Sequence, residues 1–185
     1  MTVLAHDPRM DAVLSAAGEA MRVQPEPTDA IAAVRTMYKR LGIDPTKTRP
    51  SSEALLRRVR RGDALPRVNS LVDIINWTSL ETQLSFGLYD ADAIHGDVSM
   101  RRGRDGEEYA GIRKDTVHVA GRLTLVDAVG PFGNPTSDSA RTMVTPSTRE
   151  AVVVIYAPAG VTDASVARAR ALTEQRIDQF CRTVE

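Results

Sequence analysis

The sequence predicts an α+β domain. Three observations carry that prediction. Amphipathic segments of helical period occupy the chain up to about residue 81. Short β-branched runs, separated by turn residues, follow between Val98 and Tyr156. A last amphipathic stretch begins at Asp163. Helices, then strands, then a helix is the order of an α+β domain rather than of alternating βα units.

The elements follow in order. The first ~24 residues read as a helix, with Met10, Val13, Leu14, Ala17 and Met21 on one face. Two prolines within residues 23–28 end it. Thr28 or Asp29 caps a second helix carrying Ile31, Val34, Met37, Tyr38 and Leu41, and Gly42 stops it. Pro50-Ser51-Ser52-Glu53 reads as the capped start of a third helix with Leu55, Leu56 and Val59, closed at Gly62. A fourth runs from about Asn69 to Glu81 on Leu71, Val72, Ile75 and Leu80. Strand-like pieces begin at Val98, Asp115 and Leu123, and residues 130–139 form a shaped loop. Val152-Val-Val-Ile-Tyr156 reads as a strand buried on both faces. The stretch from Asp163 to Thr183 closes the chain as a helix, with Val166, Ala169, Leu172, Ile177 and Phe180 inward.

Composition narrows the function classes. The chain has 185 residues, of which 42% are hydrophobic and 26% charged, as in folded domains. One domain is expected over residues 1–185, with 1–45 a helical extension and 163–185 the terminal helix. Lys plus Arg equals Asp plus Glu at 24 each, so the formal charge is zero, unlike a general nucleic-acid coat protein. A single cysteine excludes an internal disulfide and a multi-cysteine zinc site. The longest apolar run, Ala151 to Ala157, is too short to span a bilayer, and the N-terminus does not read as a secretory signal. A cytoplasmic protein without metal or cofactor is the expectation.

Phosphate-loop, zinc-protease and serine-elbow signatures are absent from the sequence. Three segments concentrate polar groups. Asn69, Asp73 and Asn76 share one helical face, which is either a solvated surface or a pocket wall. Gly130 to Thr145 is either a shaped connection or a binding loop, with Ser137, Ser139, Arg141 and Thr142 placed for phosphate or ribose. Arg57, Arg58, Arg60 and Arg61, with Arg101, Arg102 and Arg104 later, form either solvated faces or a track for a nucleic-acid backbone. His118 lies in a strand-like alternation, as a structural residue or a general base. Cys181 reads as a packing residue; Trp77 and Tyr89 read as core or as base-stacking rings.

Val68-Asn69, Val72-Asp73, Asn76, Glu81 and Tyr89-Asp90 fall in step, without a gap, on a stretch of another family. They resemble the B3/B4 domain of the phenylalanyl-tRNA synthetase β subunit. Residues 49–58 with Leu65-Pro66-Arg67, and residues 130–145, look like two further signatures of free-standing B3/B4 proteins. The resemblance covers roughly residues 40 to 160. It implies an α+β fold with a central mixed sheet flanked by helices. It also implies editing: hydrolysis, in trans, of the ester of a mischarged tRNA, with tRNA as partner. Two positions depart from the family. Its pocket histidine falls at Gly87, and its tyrosine-reading glutamate falls near Asn134 or Pro135. A threonine-like amino acid, such as fluorothreonine, then fits better than tyrosine.

The residues and the resemblance together suggest these roles. His118, Asn69 and Asp73 are the catalytic candidates. Asn76, Gly87, Gly133, Asn134, Ser139, Arg141 and Thr142 are the substrate-binding candidates. Backbone amides around Gly130 to Asn134 supply the oxyanion site. Arg57, Arg58, Arg60, Arg61 and Arg67 contact tRNA. Two alternatives stand beside this reading. One is a non-catalytic RNA-binding module of the same fold, which the missing histidine favours; the other is a hydrolase of small amino-acid esters or amides.

Overall fold

The computed structural model describes residues 1–23, 29–112 and 115–181. Among the described residues are five α-helices and seven short strands: α1 (Asp11–Val23), α2 (Asp29–Arg40), α3 (Ser51–Arg60), α4 (Ser70–Thr82), β1 (Ser85–Asp90), β2 (Ser99–Arg102), β3 (Glu108–Ala110), β4 (Thr116–His118), β5 (Leu123–Val126), β6 (Pro131–Gly133), β7 (Ala151–Tyr156) and α5 (Asp163–Phe180). The α+β class holds. The expected central sheet takes the form of three antiparallel ladders, β1–β7, β2–β5–β6 and β3–β4. An isolated Gly103–Ala120 bridge is parallel.

The β1–β7 ladder is a wall between two cores. Period-two alternation sends Phe86 and Leu88 of β1 into the helical core, beside Leu56, Leu71 and Ile74. Gly87 and Tyr89 face the opposite side. There Tyr89 packs with Leu125, Phe132 and Tyr156 in a small sheet core. Phe86 pairs with Ile155 and Leu88 with Val153, so β7 divides its side chains in the same way. Burial on both faces was expected of β7, yet it belongs to β1. Val152 is 36% exposed, whereas β1 is buried from Ser85 through Tyr89. β1 is the inner strand because α3 and α4 both pack on it.

Helical periodicity placed the inner faces of α1 and α2 well, whereas in α5 Ala169 and Phe180 are buried as expected but so are Thr173 and Arg176, with Val166, Leu172 and Ile177 only half-buried. Met10, Leu14, Ala17 and Met21 are buried, as are Ile31, Val34 and Tyr38. Residues 2–7 precede the helical part, and Asp7 caps a 3-10 turn, Pro8–Met10, that leads into α1. The proline-rich break and the Thr28 cap lie outside the described residues, as do the last residues of the expected terminal helix. α3 begins at Pro50 without a side-chain cap. Glu53 is drawn instead to Arg35 and Arg49. α4 is capped by Asn69, whose side-chain oxygen accepts the Val72 amide at 2.9 Å. The strands β1, β3 and β6 carried no sequence signal strong enough to mark them; two have only three residues.

Candidate functional site

A cleft lies where α3, α4, β1 and the loop after β6 converge. Its inner part is an apolar cavity of about 300 Å³. Val72 and Ile75 of α4, Phe86 and Leu88 of β1, and Met143 and Val144 form much of its wall. These α4 residues reach the cavity because helical spacing puts positions 72, 75, 76 and 79 on one side. A smaller polar annex of about 190 Å³, lined by Asn134, Thr136 and Ser137, shares Ser51, Phe86, Ile112 and Asp138 with it. On the outside, an open groove of about 630 Å³ carries Arg49, Arg57, Arg58 and Arg61. Groove and cavity share Ser51, Leu55 and Asn76. The Ser51 hydroxyl and the Asn76 amide sit at this junction.

Asp138 is the one carboxylate among the described residues lining cavity, annex and groove. Two buried phenols hold it. The Tyr89 hydroxyl donates to Asp138 Oδ1 at 2.7 Å. The Tyr156 hydroxyl lies 2.9 Å from that of Tyr89. A phenol has one proton to give, so Tyr156 donates to Tyr89 and Tyr89 to Asp138. Burial, then the nearby Asp138 charge, holds both phenols far above the ordinary tyrosine range, so they remain donors.

Gly87 and Gly133 line this arrangement from either side. A Cβ at either glycine would collide with the Tyr89 phenol. Tyr89 thus occupies the space that side chains at both positions would need. The absence of a histidine at Gly87 has a steric counterpart: the Tyr89 ring fills the place beside that backbone.

The other expected site residues divide into three groups. Asn69 and Asp73 are buried ties rather than cleft residues. Asn69 caps α4, and Asp73 accepts from the Val68 amide at 2.8 Å and from Arg67 Nε at 2.7 Å. Arg67 also pairs with Asp11 and donates to the Asp7 carbonyl, so it serves the fold beneath α1. Only Asn76 of the α4 triplet reaches the cleft.

The 130–145 segment is similarly engaged. Arg141 binds Asp127 through both terminal nitrogens at 3.0 Å and donates to the Ala93 carbonyl. Burial raises the Asp127 carboxyl, but Arg141 and the amides of His95, Val129 and Gly130 outweigh it and hold it below its ordinary value. Ser139 caps the 3-10 turn Ala140–Thr142, and Thr142 is fully buried with its hydroxyl unpaired. Asn134 lines the annex, where its oxygen accepts the Thr136 and Ser137 amides and its nitrogen donates to Tyr109. Two of the amides expected as oxyanion donors are taken: Gly130 N bonds Asp127 and Asn134 N bonds the Ser137 carbonyl.

His118 lies outside the cleft walls. Its side chain is 74% exposed on the β3–β4 ladder, with Nδ1 2.9 Å from Glu108. Arg60 is absent from the groove wall that Arg57, Arg58 and Arg61 form. Arg101 is paired with Glu107, which holds the Glu107 carboxyl down to about 2. Cys181 is buried against Ser70, and Trp77 packs under Arg176. Sequence reasoning missed Ser51 and Asp138 as site residues. Both stand inside the motifs quoted above, but nothing in their spacing separates a cavity-facing side chain from a buried one.

A family model for the B3/4 domain matches residues 33–185. The chain is 38% identical over 91 residues to the phenylalanine–tRNA ligase beta subunit of Xanthomonas campestris pv. campestris, which is 49% of this chain and 11% of that subunit. The corresponding subunit of Nitrobacter winogradskyi is 39% identical over 61 residues, 33% of this chain and 7% of its own length. That of Ralstonia nicotianae is 32% identical over 72 residues, 39% and 9%. The chain spans about a tenth of the length of these curated relatives. Among the described residues no helix is long and apolar enough to cross a membrane.

Proposed function

We infer the function from a premise: the chain belongs to the B3/4 domain family. On it we propose a trans-acting deacylase that hydrolyses the ester of a mischarged tRNA. The observation that carries this is the shared wall between a mostly apolar cavity and an arginine groove. The cavity, at about 300 Å³, lies at the small end of ligand pockets. It suits one amino-acid side chain and leaves the nucleic acid outside. The groove presents guanidinium groups where a 3′-terminal backbone would run. The relatives' printed name, a phenylalanine–tRNA ligase subunit, supports tRNA as the partner.

An aminoacyl ester is already activated, so placement and charge stabilisation suffice to speed its hydrolysis. The side chain enters the cavity and the ester carbonyl rests at the mouth. Ser51 Oγ and the Asn76 amide, neither hydrogen-bonded within the described residues, are the donors for the carbonyl oxygen and the terminal ribose. Arg57, Arg58 and Arg61 hold the phosphates. A water in the polar annex attacks the carbonyl, and the tRNA leaves with its free hydroxyl.

One observation favours the non-catalytic binding module. Among the described residues lining the cleft there is no histidine, cysteine or lysine to act as base or nucleophile. A panel of correctly and incorrectly charged tRNAs decides. It includes threonine, fluorothreonine, tyrosine, leucine and methionine esters. Rapid release from one mischarged tRNA with the cognate spared is the expected result. Binding of tRNA with no release from any member overturns the deacylase in favour of the module.

A further inference from the structure

We infer that the corner formed by the ends of α2 and β2 and the residue before β5 is a second phosphate-binding arm. It takes the duplex stem of the tRNA, while the groove takes the single-stranded 3′ end. This deepens the deacylase reading and rests on it for the identity of the nucleic acid.

The first argument is which cations lack a partner. The chain has no net charge, and many of its arginines are neutralised by a carboxylate, as Arg35 is by Glu53 and Arg101 by Glu107. Among the described residues, no carboxylate lies within ion-pairing distance of Arg57 or Arg58 in the groove. The same holds for Arg40, Lys47, Arg102 and Arg122. These four belong to one corner. Arg40 stands in the last turn of α2. Arg102 reaches the exit of that turn and donates to the Leu41 carbonyl at 3.4 Å. Arg122 lines a small hollow with Tyr38 of α2 and with Thr48, the residue after Lys47. The acids nearby offer little compensation. Asp44 accepts from Thr46 in its own turn, and Glu107 is held by Arg101. Arg104 and Asp105 adjoin on the exposed turn after β2 and cancel in net charge. A neutral chain that gathers uncompensated cations in one place carries a local positive field.

The second argument is continuity. Thr136 lines both the Arg122 hollow and the arginine groove. Its hydroxyl bonds that of the buried Tyr38 at 2.7 Å, which ties α2 to the loop after β6. The Ser51 amide ties α3 to the same loop through the Pro135 carbonyl at 3.0 Å. Corner and groove therefore meet at Pro135 and Thr136 and are held in a fixed relation. Cations on a fixed frame suit the regular phosphate spacing of a duplex, which is recognised by shape and backbone.

The third argument is direction. The cavity of about 300 Å³ is too small for a duplex, so the stem stays outside and leaves the groove by one end. At the far end Arg61 pairs with Asp63 at 3.0 Å. Beyond it, the hollow between α1 and the turn after α3 carries Asp11, Glu19 and Asp63 against Arg22 and Arg67. The excess of carboxylates there repels a phosphate chain. At the Thr136 end the unpaired cations continue. The stem therefore runs over Arg122 and Arg102. Of the second basic cluster in the sequence, Arg102 joins this track and Arg101 is taken by Glu107.

The test reads binding of uncharged RNA to the full chain by fluorescence anisotropy across a salt series. One probe is an acceptor-stem hairpin ending in single-stranded CCA; the other is the single-stranded end alone. The hairpin is expected to bind more tightly and with the steeper salt slope. Arg102→Gln with Arg122→Gln should weaken the hairpin roughly 10- to 100-fold at ~0.1 M salt. Its slope should fall by about two, one per lost phosphate contact. The single strand should stay within about twofold, because salt screens exposed charges that it does not touch. Arg40→Gln with Lys47→Gln, both at exposed positions, should weaken the hairpin with the same selectivity. If one pair fails to fold, the other decides. Equal binding of the two probes by the unmodified protein, equal losses on both probes, or an unchanged hairpin in folded variants would overturn the inference. Turnover is read separately on the panel of charged tRNAs. Hairpin binding that needs the corner, with no release from any member, overturns the deacylase and leaves the arm standing. Release from a mischarged tRNA, with the hairpin slope unchanged in both pairs, does the reverse.

Discussion

Two segments of the chain are similarly rich in polar residues, and they use them differently. Residues 67–82 tie the backbone at the two ends of α4. Arg67, Asn69 and Asp73 close a buried network at its start, Ser79 and Thr82 donate to the Leu84 and Thr78 carbonyls at its end, and the middle of the helix is left to present Val72, Ile75 and Asn76 to the cleft. Residues 127–142 spend nearly all their polar groups on themselves. Asp127 with Arg141, Asn134 with two amides, and Ser139 with its own turn fix an irregular loop, and Asp138 faces the cavity. A helix satisfies its own backbone and needs polar help only at its ends. A loop has no such ladder, so its side chains do that work. Polar density in a sequence thus marks backbone that needs partners as readily as it marks chemistry.

The largest expected effect breaks the loop's central tie. The Asp127 side chain has no exposed surface. Arg141→Ala strands that carboxylate and should cost about 3–5 kcal/mol in urea unfolding, a large share of a typical domain's ~5–15 kcal/mol. A loss under ~1 kcal/mol would mean the loop is held elsewhere and the contrast with α4 fails. The pH dependence has a definite sign. Asp127 is held below its ordinary value in the fold, so its contribution is complete above the unfolded value of about 4. It is lost as pH falls through the lowered folded value. Without Arg141 that acid limb should move to higher pH.

The next effect sharpens the contrast from the α4 side. Val72→Phe fills part of the apolar cavity from a half-buried position. Overpacking of this kind costs roughly 1–3 kcal/mol of stability at most. Turnover of the preferred aminoacyl ester should fall about tenfold or more, since the side chain loses its place. Equal losses in Val72→Phe and in a surface variant would show that the cavity is not where the substrate sits.

How much of this was legible in the sequence follows from the same contrast. The inner faces of α1 and α2 could be read because helical period repeats over several turns, whereas α5 also buries Thr173 and Arg176, which no apolar period marks. β3 and β6 could not, because Glu108-Tyr-Ala and Pro131-Phe-Gly hold no β-branched residue, unlike the equally short β4. The exchange of roles between β1 and β7 depends on α3 and α4 packing on one strand and not the other, which composition does not encode. Asn76 was visible as polar at helical spacing. Its neighbour Asp73 looked the same on a helical wheel and turned out to be a buried tie. Arg57, Arg58 and Arg61 were legible as a basic run. That they flank a cavity was not, because α3 is set against the 130–145 loop through the Ser51 amide and the Pro135 carbonyl.

A smaller effect belongs to that groove. Arg57→Ala with Arg61→Ala removes two guanidinium groups from it; of these, Arg61 is also paired at the surface with Asp63. Binding of tRNA should weaken and its salt slope should fall by about two, one per lost phosphate contact. Hydrolysis of a small aminoacyl ester should be unchanged. An unchanged salt slope would separate cavity from nucleic acid and leave a small-ester hydrolase.

The smallest expected effect is at His118, and it tests where the cleft ends. Its imidazole is 74% exposed and its partner Glu108 is 50% exposed. Exposed pairs of this kind contribute ~0–1 kcal/mol, so His118→Ala should change stability by about 0.5 kcal/mol or less. Deacylation should stay within about twofold, the kinetic equivalent of that energy. The reason is position: β3 and β4 form a separate ladder, and His118 lies on its solvent side, away from Ser51, Asn76 and Asp138. A tenfold loss would require that ladder to close over the bound ester. The cleft would then have a fourth wall, and the division between tying and presenting segments would have to include it.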